Sequence, residues 1–424
     1  MKILLISALF SPYLSIGAVR VNKLASYWIT RGHQVRVLTM KDQPLPVGLE
    51  LKIDPSLVTY SPWFNVNFLP ELLFGGREKV VKSGYKTRSI SLKSFGFLYR
   101  TLFNYPDEMI GWLPQALRAG DKLIRQWKPD LIYASGMPFT ALLVATHLAQ
   151  KYSIPWVAEM RDPWVDDHRY PYPTWRKKWE EKLEKATLKS ATALVTVSQP
   201  WADYLAKKHS KPVAVVMNGY DPEDYPISKE FKPPTPGLLQ IIYTGTIYQA
   251  FQDPTPLFIA LRQMENRADN IKIQFYTRYF DNALFKAREN GVEHLVEGKQ
   301  LIPYREAIKA QGEADILLLL LWNDPQENGV FPAKLFEYLG SRRPILAVGL
   351  GHDQTSDIIR ERQAGLVSND PNVIARQILI WKEQKQIHGF IPDLPESVHK
   401  GYSRLEQFRH LDQFLFDQLK LQEE

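Results

Sequence analysis

The run ILLISALFSPYLSIGAVRVNKLASYWITRGHQVRVL (residues 3–38) reads as strand, helix, strand. Ile3 to Ile6 are four apolar residues in succession, the mark of a strand buried on both faces. Ser7 to Gly17 reads as a loop. Val21, Leu24, Ala25, Trp28 and Ile29 then fall at i, i+3, i+4, i+7 and i+8, the template of one buried helical face running to Arg31. Gly32 stands just past it as a stop signal, and Val35 to Leu38 forms the next short apolar strand. Strand, helix and strand of these lengths make a βαβ unit, which requires parallel strands and a right-handed crossover. The same rhythm recurs at Leu131–Ala134, Thr140–Tyr152, Trp156–Glu159 and Ala193–Ser198, so the first half is expected to be doubly wound α/β.

Working outward, the rhythm breaks at ISKEFKPPTPG (residues 227–237), where three prolines and a glycine forbid either regular element. This reads as a linker. Beyond it, Leu239–Thr244, a helix near Pro256–Glu265 and a strand at Lys272–Tyr276 start the pattern afresh. Ile316–Trp322, a helix over Pro332–Ser341 and Ile345–Val348 add another βαβ unit. The expected architecture is therefore α/β, with two Rossmann-like domains facing each other across a cleft. Residues 1–230 form the first, residues 238–400 the second. In the tail, Leu405, Phe408, Leu411, Phe414, Leu415 and Leu419 at helical spacing imply that residues 401–424 dock on an apolar surface of the first domain.

Composition narrows the class. The 424 residues are 45% hydrophobic and 23% charged, the balance of a globular protein with two or three cores. The longest wholly apolar run, Ile316–Trp322, is far short of the roughly 20 residues of a spanning helix. The start, MKILLISALF, resembles a short signal segment but lacks a small-residue cleavage site, so a cytoplasmic location is expected. There is no cysteine, which excludes disulfides, thiolate nucleophiles and cysteine-bound metals. Of the formal net charge of +7, almost all sits between Arg77 and Phe103, where seven cations face Glu78 alone. No general attraction to nucleic acid follows from a remainder that is about neutral. Because Phe95, Phe97, Leu98, Tyr99, Leu102 and Phe103 accompany those cations, residues 77–103 read either as a segment lying on an anionic membrane surface or as a solvated basic loop with a local aromatic plug.

In open parallel sheets, ligands bind beyond the carboxyl ends of the strands, where helix N-termini favour anions. Four such loops carry suitable residues. Asn323–Phe331 leads into PAKLFEYLG, with Pro332 suited to a helix start. There Lys334 and Glu337, three apart on one face, could neutralise a diphosphate and bind a ribose, or simply pair with each other on a solvated surface. Gly245 and Thr246 follow the strand Leu239–Thr244, and Gly245 permits close backbone approach unless it is an ordinary turn glycine. Gly17 ends the first loop, and Arg20 near it offers a fork of donors. Glu159, Arg161 and Asp162 follow another strand, either as site residues or as a buried clamp. Neither GxGxxG nor GxxxxGK[ST] is present, so the nicotinamide and ATP fingerprints are missing.

Together these stretches resemble a known family. FSPYLSIGAVRVNKLASYWITRGHQVRVLT, WVAEMRDPW, VTVSQPWADYL, VMNGYDPEDY and FPAKLFEYLGSRRPILAVG are similar, in order and across nearly the whole chain, to segments of family 4 glycosyltransferases with the GT-B fold. The resemblance implies transfer of a sugar from a nucleotide-diphosphate sugar with retention at the anomeric carbon, without an essential metal or other cofactor. The implied acceptor is a glycan or a lipid-linked molecule in cell-envelope or exopolysaccharide synthesis, at the inner face of the membrane. It assigns Glu337 to the donor ribose, Gly17 to a diphosphate-facing loop and Gly245 with Thr246 to the donor loop of the second domain. Gly329, Val330 and Phe331 would join the donor side, and Asn218 with Gly219 would shape the domain edge. Two departures stand out. Gly329 lies eight positions before Glu337, where the family commonly has a glutamate, and GTIYQAFQDP lacks the usual phosphate-binding Arg and Lys. Lys334 or Arg278 must then supply that charge, with Lys334 the expected catalytic cation. Asp162, with Arg161 on the acceptor side, is expected to orient the acceptor or act as base. A nucleotide-sugar epimerase and a catalytically silent sugar-nucleotide binder are the rival readings.

Overall fold

Strand β1 (Lys2–Ser7) splits its side chains between two cores, Leu4 and Ile6 into one, Ile3 and Leu5 into the other. Such alternation is what a strand covered by helices on both faces requires. The computed structural model describes residues 1–68, 71–72, 90–167, 170–225, 237–248, 251–322 and 331–419. The expected linker up to residue 236, the basic stretch 77–89 and the loop residues Gly329 and Val330 lie outside the described residues.

The first sheet is wholly parallel, in the order β3-β2-β1-β4-β5-β6-β7, with β2 at Gln34–Met40, β3 at Val58–Ser61, β4 at Leu131–Gly136, β5 at Trp156–Met160, β6 at Ala193–Thr196 and β7 at Val213–Val215. Helix α1 (Ile16–Thr30) begins one residue ahead of Gly17, because the Ser15 side chain accepts from the Ala18 N–H and caps it. Gly17 therefore lies in the first helical turn rather than at the end of the loop. Among the described residues, this unit's crossovers also hold α2 (Ile90–Phe103), α3 (Leu113–Trp127), α4 (Thr140–Tyr152) and α5 (Thr174–Leu188), followed by α6 (Gln199–His209).

The second sheet, also parallel, runs β10-β9-β8-β11-β12-β13, the doubly wound order that places β8 and β11 side by side at the reversal point. Its strands are β8 (Leu239–Thr244), β9 (Ile271–Tyr276), β10 (Val296–Lys299), β11 (Ile316–Leu320), β12 (Ile345–Val348) and β13 (Gly365–Ser368). The helices in turn are α7 (Thr255–Met264), α8 (Asp281–Glu289), α9 (Tyr304–Gly312), α10 (Ala333–Ser341), α11 (Gln354–Glu361) and α12 (Pro371–His388). In β11, Ile316, Leu318 and Leu320 enter one core while Leu317 and Leu319 enter the other.

The chain forms two units, Met1–Val216 with Phe408–Glu424, and Met217–Gln407. The passage between them falls ahead of the proline-rich stretch because Val216 is held in the first unit, its carbonyl accepting from Arg20, while the Met217 N–H donates to Gln407. The last helix, α13 (Arg404–Leu419), sends Phe408, Leu411 and Leu415 into the core that holds Val21, Leu24 and Trp28. Asp412 on it accepts from the Tyr27 hydroxyl at 2.7 Å and the Trp28 indole at 2.8 Å. Among the described residues, no helix is long and apolar enough to cross a membrane.

Candidate functional site

In the second unit, residues from two neighbouring loops converge at the carboxyl end of the sheet. Gly245 leaves β8 at φ +102°, a conformation that side chains rarely adopt, and its bare Cα makes room for a neighbour. That neighbour is Lys334, in the first turn of α10: a Cβ on Gly245 would stand 2.7 Å from its Cε. The Lys334 ammonium donates to the Tyr243 hydroxyl at 2.5 Å and to the Thr246 carbonyl at 3.3 Å, and lies 3.9 Å from the centre of the Tyr243 ring. The Tyr243 hydroxyl in turn donates to the Thr246 carbonyl at 2.6 Å, so one tyrosine braces both the loop and the cation. Desolvation by burial pushes the Lys334 ammonium down to about 7, although the Glu337 charge works the other way.

Lys334 and Glu337 do not bond to each other on a solvated face. Glu337 accepts from the Gln311 amide at 3.0 Å, and the same amide nitrogen donates to the Thr244 hydroxyl at 3.0 Å. Burial raises the Glu337 carboxyl above the usual range, against the Gln311 bond and the charges of Arg404 and Lys334. Tyr225 ties down the Glu337 carbonyl at 2.9 Å. Helix α10 starts one residue later than expected, with Pro332 as its extended cap residue rather than its first helical one, and that cap supplies no side-chain bond to the first-turn N–H groups. A helix N-terminus left without a side-chain cap, a cation and a half-buried carboxylate thus share one corner.

The other expected residues of this unit are placed differently. Phe331 is buried against Phe336, ring centres 5.9 Å apart, so its side chain packs the core beneath α10. Arg278 is exposed in the loop after β9. Asn218 and Gly219 sit where the chain runs against the start of α13; a Cβ on Gly219 would meet the Arg404 N–H nitrogen at 2.7 Å.

In the first unit, Arg20 departs from expectation. It is 1% exposed, and its guanidinium donates inward to Glu159 at 2.9 Å and to the Val216 carbonyl at 2.8 Å. Glu159, also fully buried, accepts further from Tyr133 at 2.8 Å and Ser135 at 2.5 Å. Burial would raise this carboxyl, but Arg20 and Ser135 outweigh it and hold it below its ordinary value. Arg20 is therefore a structural clamp under the loops, not a fork offered to a ligand. The fork near Gly17 belongs to Arg161: a Cβ on Gly17 would stand 2.1 Å from its Nη1. Arg161 donates to the carbonyls of Gly136 at 2.9 Å and Met137 at 2.5 Å, so it joins the ends of β4 and β5 to the first turn of α1. Asp162 is half-buried beside it, and its charge supports the Arg161 cation against the burial that lowers it.

Sequence reading missed Tyr243 and Gln311. Tyr243 carried a signal, as the penultimate residue of a strand before a glycine. Gln311 carried none, because its role depends on α9 packing beside α10. Among the described residues, no group of three or more His, Asp or Glu side chains is arranged to hold a metal ion.

Two wholly parallel Rossmann-like sheets, one in each unit, make the GT-B fold, which this chain shares with solved glycosyltransferases. Residues 17–220 match the glycosyl transferase 4-like domain family. Over the whole chain the structure is similar to Anabaena HepE solved with UDP (TM-score 0.62, 11% identity, 98% of this chain and 100% of that one). HepE has also been solved with UDP-glucose. It is similar as well to sucrose-phosphate synthase from Thermosynechococcus elongatus (TM-score 0.61, 14% identity, 99% of each chain). A putative UDP-N-acetylglucosamine 2-epimerase from Listeria monocytogenes shares the fold more loosely (TM-score 0.55, 10% identity, 99% of this chain and 97% of that one). No curated protein matches the chain by sequence.

Proposed function

We propose that this protein transfers a sugar from a nucleotide-diphosphate sugar to an acceptor hydroxyl, with retention at the anomeric carbon, in the synthesis of a cell-envelope or extracellular glycan. The observation that carries the reading is the Lys334 ammonium held over the Gly245–Thr246 loop at the mouth of α10, three residues from Glu337. HepE, which shares the fold, holds UDP and UDP-glucose, which supports a donor of the same chemical class here.

In this reading Glu337 accepts hydrogen bonds from the donor ribose, while Lys334, Thr246 and the first-turn N–H groups of α10 surround the diphosphate. As the bond from the anomeric carbon to the diphosphate breaks, negative charge grows on the leaving oxygen, and a cation already in position stabilises it. The acceptor oxygen bonds to that carbon from the face the diphosphate leaves, and its proton passes to the departing phosphate. Asp162 and Arg161 orient the acceptor. Lys334→Ala is expected to lose most donor turnover while melting normally; near-normal turnover by a folded variant rejects the reading. The epimerase relative motivates one alternative, separated by product analysis: an epimerase alters the donor sugar without any acceptor.

A peripheral site at an anionic membrane belongs to the same proposal. Besides the basic sequence of residues 77–103, Leu98, Leu102, Phe103, Trp175 and Trp179 are each about half exposed on α2 and α5. Lys178, Lys182 and Lys185, with Glu181 paired to Lys185, accompany the two tryptophans around one shallow depression. Aromatic and apolar side chains rimmed by lysine are the composition of an interfacial segment. The protein should co-sediment with vesicles containing anionic lipid and not with neutral ones; absence from both pellets contradicts this part.

A further inference from the structure

Helix α5 turns its charges inward and its aromatic rings outward. Arg176 and Glu180 are 1% and 3% exposed, while Trp175 and Trp179 are 41% and 58% exposed. The inward charges are satisfied. Arg176 donates to Glu180 at 3.2 Å, to the Arg100 carbonyl at 3.0 Å and to the carbonyls of Thr101 and Asn104. The carbonyls of Arg100 and Thr101 belong to the last turn of α2, where helical partners run out, so one guanidinium fastens the end of α2 to the side of α5. Its flat face packs on Tyr172 at 3.9 Å and Tyr105 at 5.3 Å. The Tyr105 hydroxyl donates to the Trp179 carbonyl at 2.9 Å and ties the two segments together a second time.

Between the fastened helices lies a cavity of about 510 Å³, with Leu102 and Tyr105 from the α2 side, Trp175, Trp179 and Leu183 from α5, and Lys182. The two indoles meet edge-on, with ring centres 5.1 Å apart. Lys182 also lines the neighbouring depression, beside Lys178. Unlike Lys185, which is held by Glu181 at 2.8 Å, neither of these lysines forms an ion pair among the described residues. The slot is thus apolar inside and flanked by two unpaired cations, and it lies on the face where Leu98 and Phe103 are also half exposed. A molecule that suits both features is an anionic amphiphile, whose tail leaves water while its charge meets the lysines. Tryptophan and lysine beside aliphatic side chains are the residues that proteins place at a bilayer surface, which favours a lipid over a protein partner.

We infer that this slot holds one hydrocarbon chain of an anionic membrane lipid, with the lipid phosphate beside Lys182 and Lys178. The inference rests on the membrane part of the proposed function and goes beyond it: a helix lying on a bilayer selects no particular molecule, whereas a slot of fixed walls takes up a single chain of limited length. None of its lining residues belongs to the donor corner or to the Arg161–Asp162 side.

The probes are octyl, decyl, dodecyl and tetradecyl phosphate, each below its micellar concentration, with inorganic phosphate as the chainless control and dodecyltrimethylammonium as the cationic one, titrated by calorimetry. Affinity should rise about fourfold per CH₂ that enters the slot and level off once the slot is full. Dodecyl phosphate should bind at least about tenfold more tightly than the cationic amphiphile of the same length. Leu102→Trp, at a half-exposed position, fills the slot without altering charge. It should melt like the wild type, level off at a shorter chain and bind dodecyl phosphate at least about tenfold more weakly, a loss of less than two buried CH₂ groups. An equal rise with chain length in both proteins overturns the inference, since an open surface does the same. So does equal affinity for the anionic and cationic amphiphiles, and an affinity independent of the chain leaves the face to a protein partner and overturns it too. Vesicle co-sedimentation keeps the two readings apart. Sedimentation with anionic vesicles but no levelling removes the slot alone, and levelling without sedimentation keeps the slot and removes the membrane reading.

Discussion

At the scale of single residues the account rests on how burial sets charge. The Lys334 ammonium is pushed down to about 7, below the ordinary lysine value, because desolvation by burial disfavours its charged form more than Glu337 favours it. The unfolded chain therefore binds the extra proton more readily than the folded one. This group weakens folding fully below about pH 7, and its penalty fades as pH rises toward the free-lysine value of about 10.4. Diphosphate binding has the opposite sign, since it needs the charged form: donor affinity should fall, and proton uptake on binding appear, as pH rises from 7 to about 9. Calorimetry in buffers of different ionisation heat measures both, and a flat affinity across that interval removes Lys334 from the diphosphate. Arg20 gives a second test. Arg20→Ala leaves Glu159 buried without its cation, so it should cost about 3–5 kcal/mol of stability in thermal or denaturant melts. A variant that melts like the wild type but binds donor poorly would return Arg20 to the ligand.

At the scale of elements, a strand end and a helix start are brought together by one missing Cβ. Gly245→Ala should destabilise the second unit by about 1–3 kcal/mol through its positive φ. It should lower turnover more than stability, because the new methyl meets the far end of Lys334, which swings away. Equal turnover per folded molecule contradicts the contact. Elements with a clean apolar pattern were legible: β8 at Leu239–Thr244, α4 at Thr140–Tyr152 and β12 at Ile345–Val348 lie where the periodicity places them. Helix α5 was not, because its pattern is inverted. Arg176, Glu180 and Glu184 are buried in polar networks while Trp175 and Trp179 face outward, so a search for an apolar inner face passes over it. Strand β3 was missed because it is short, with only Ser61 fully buried.

At the scale of the whole molecule, the parallel order of both sheets follows from repeated βαβ units, and with it the rule that loops beyond the strand ends hold ligands. That rule singled out Gly245, Lys334 and Glu337, which the structure brings into one corner of the second unit. It misread Arg20, whose partner Glu159 is 139 residues away and arrives only when β5 pairs beside β4. It was silent on Gln311, whose place beside Glu337 comes from packing between distant segments. The central claim is that the second unit holds the leaving diphosphate with Lys334. The most direct measurement is release of nucleoside diphosphate from a panel of labelled nucleotide sugars by the wild type and by Lys334→Ala, each shown to be folded by its melt. The account predicts one donor turned over by the wild type and a rate at least about a hundredfold lower in the variant, as loss of a charge-stabilising group implies; equal rates for the two proteins, or no donor turned over by either, would contradict it.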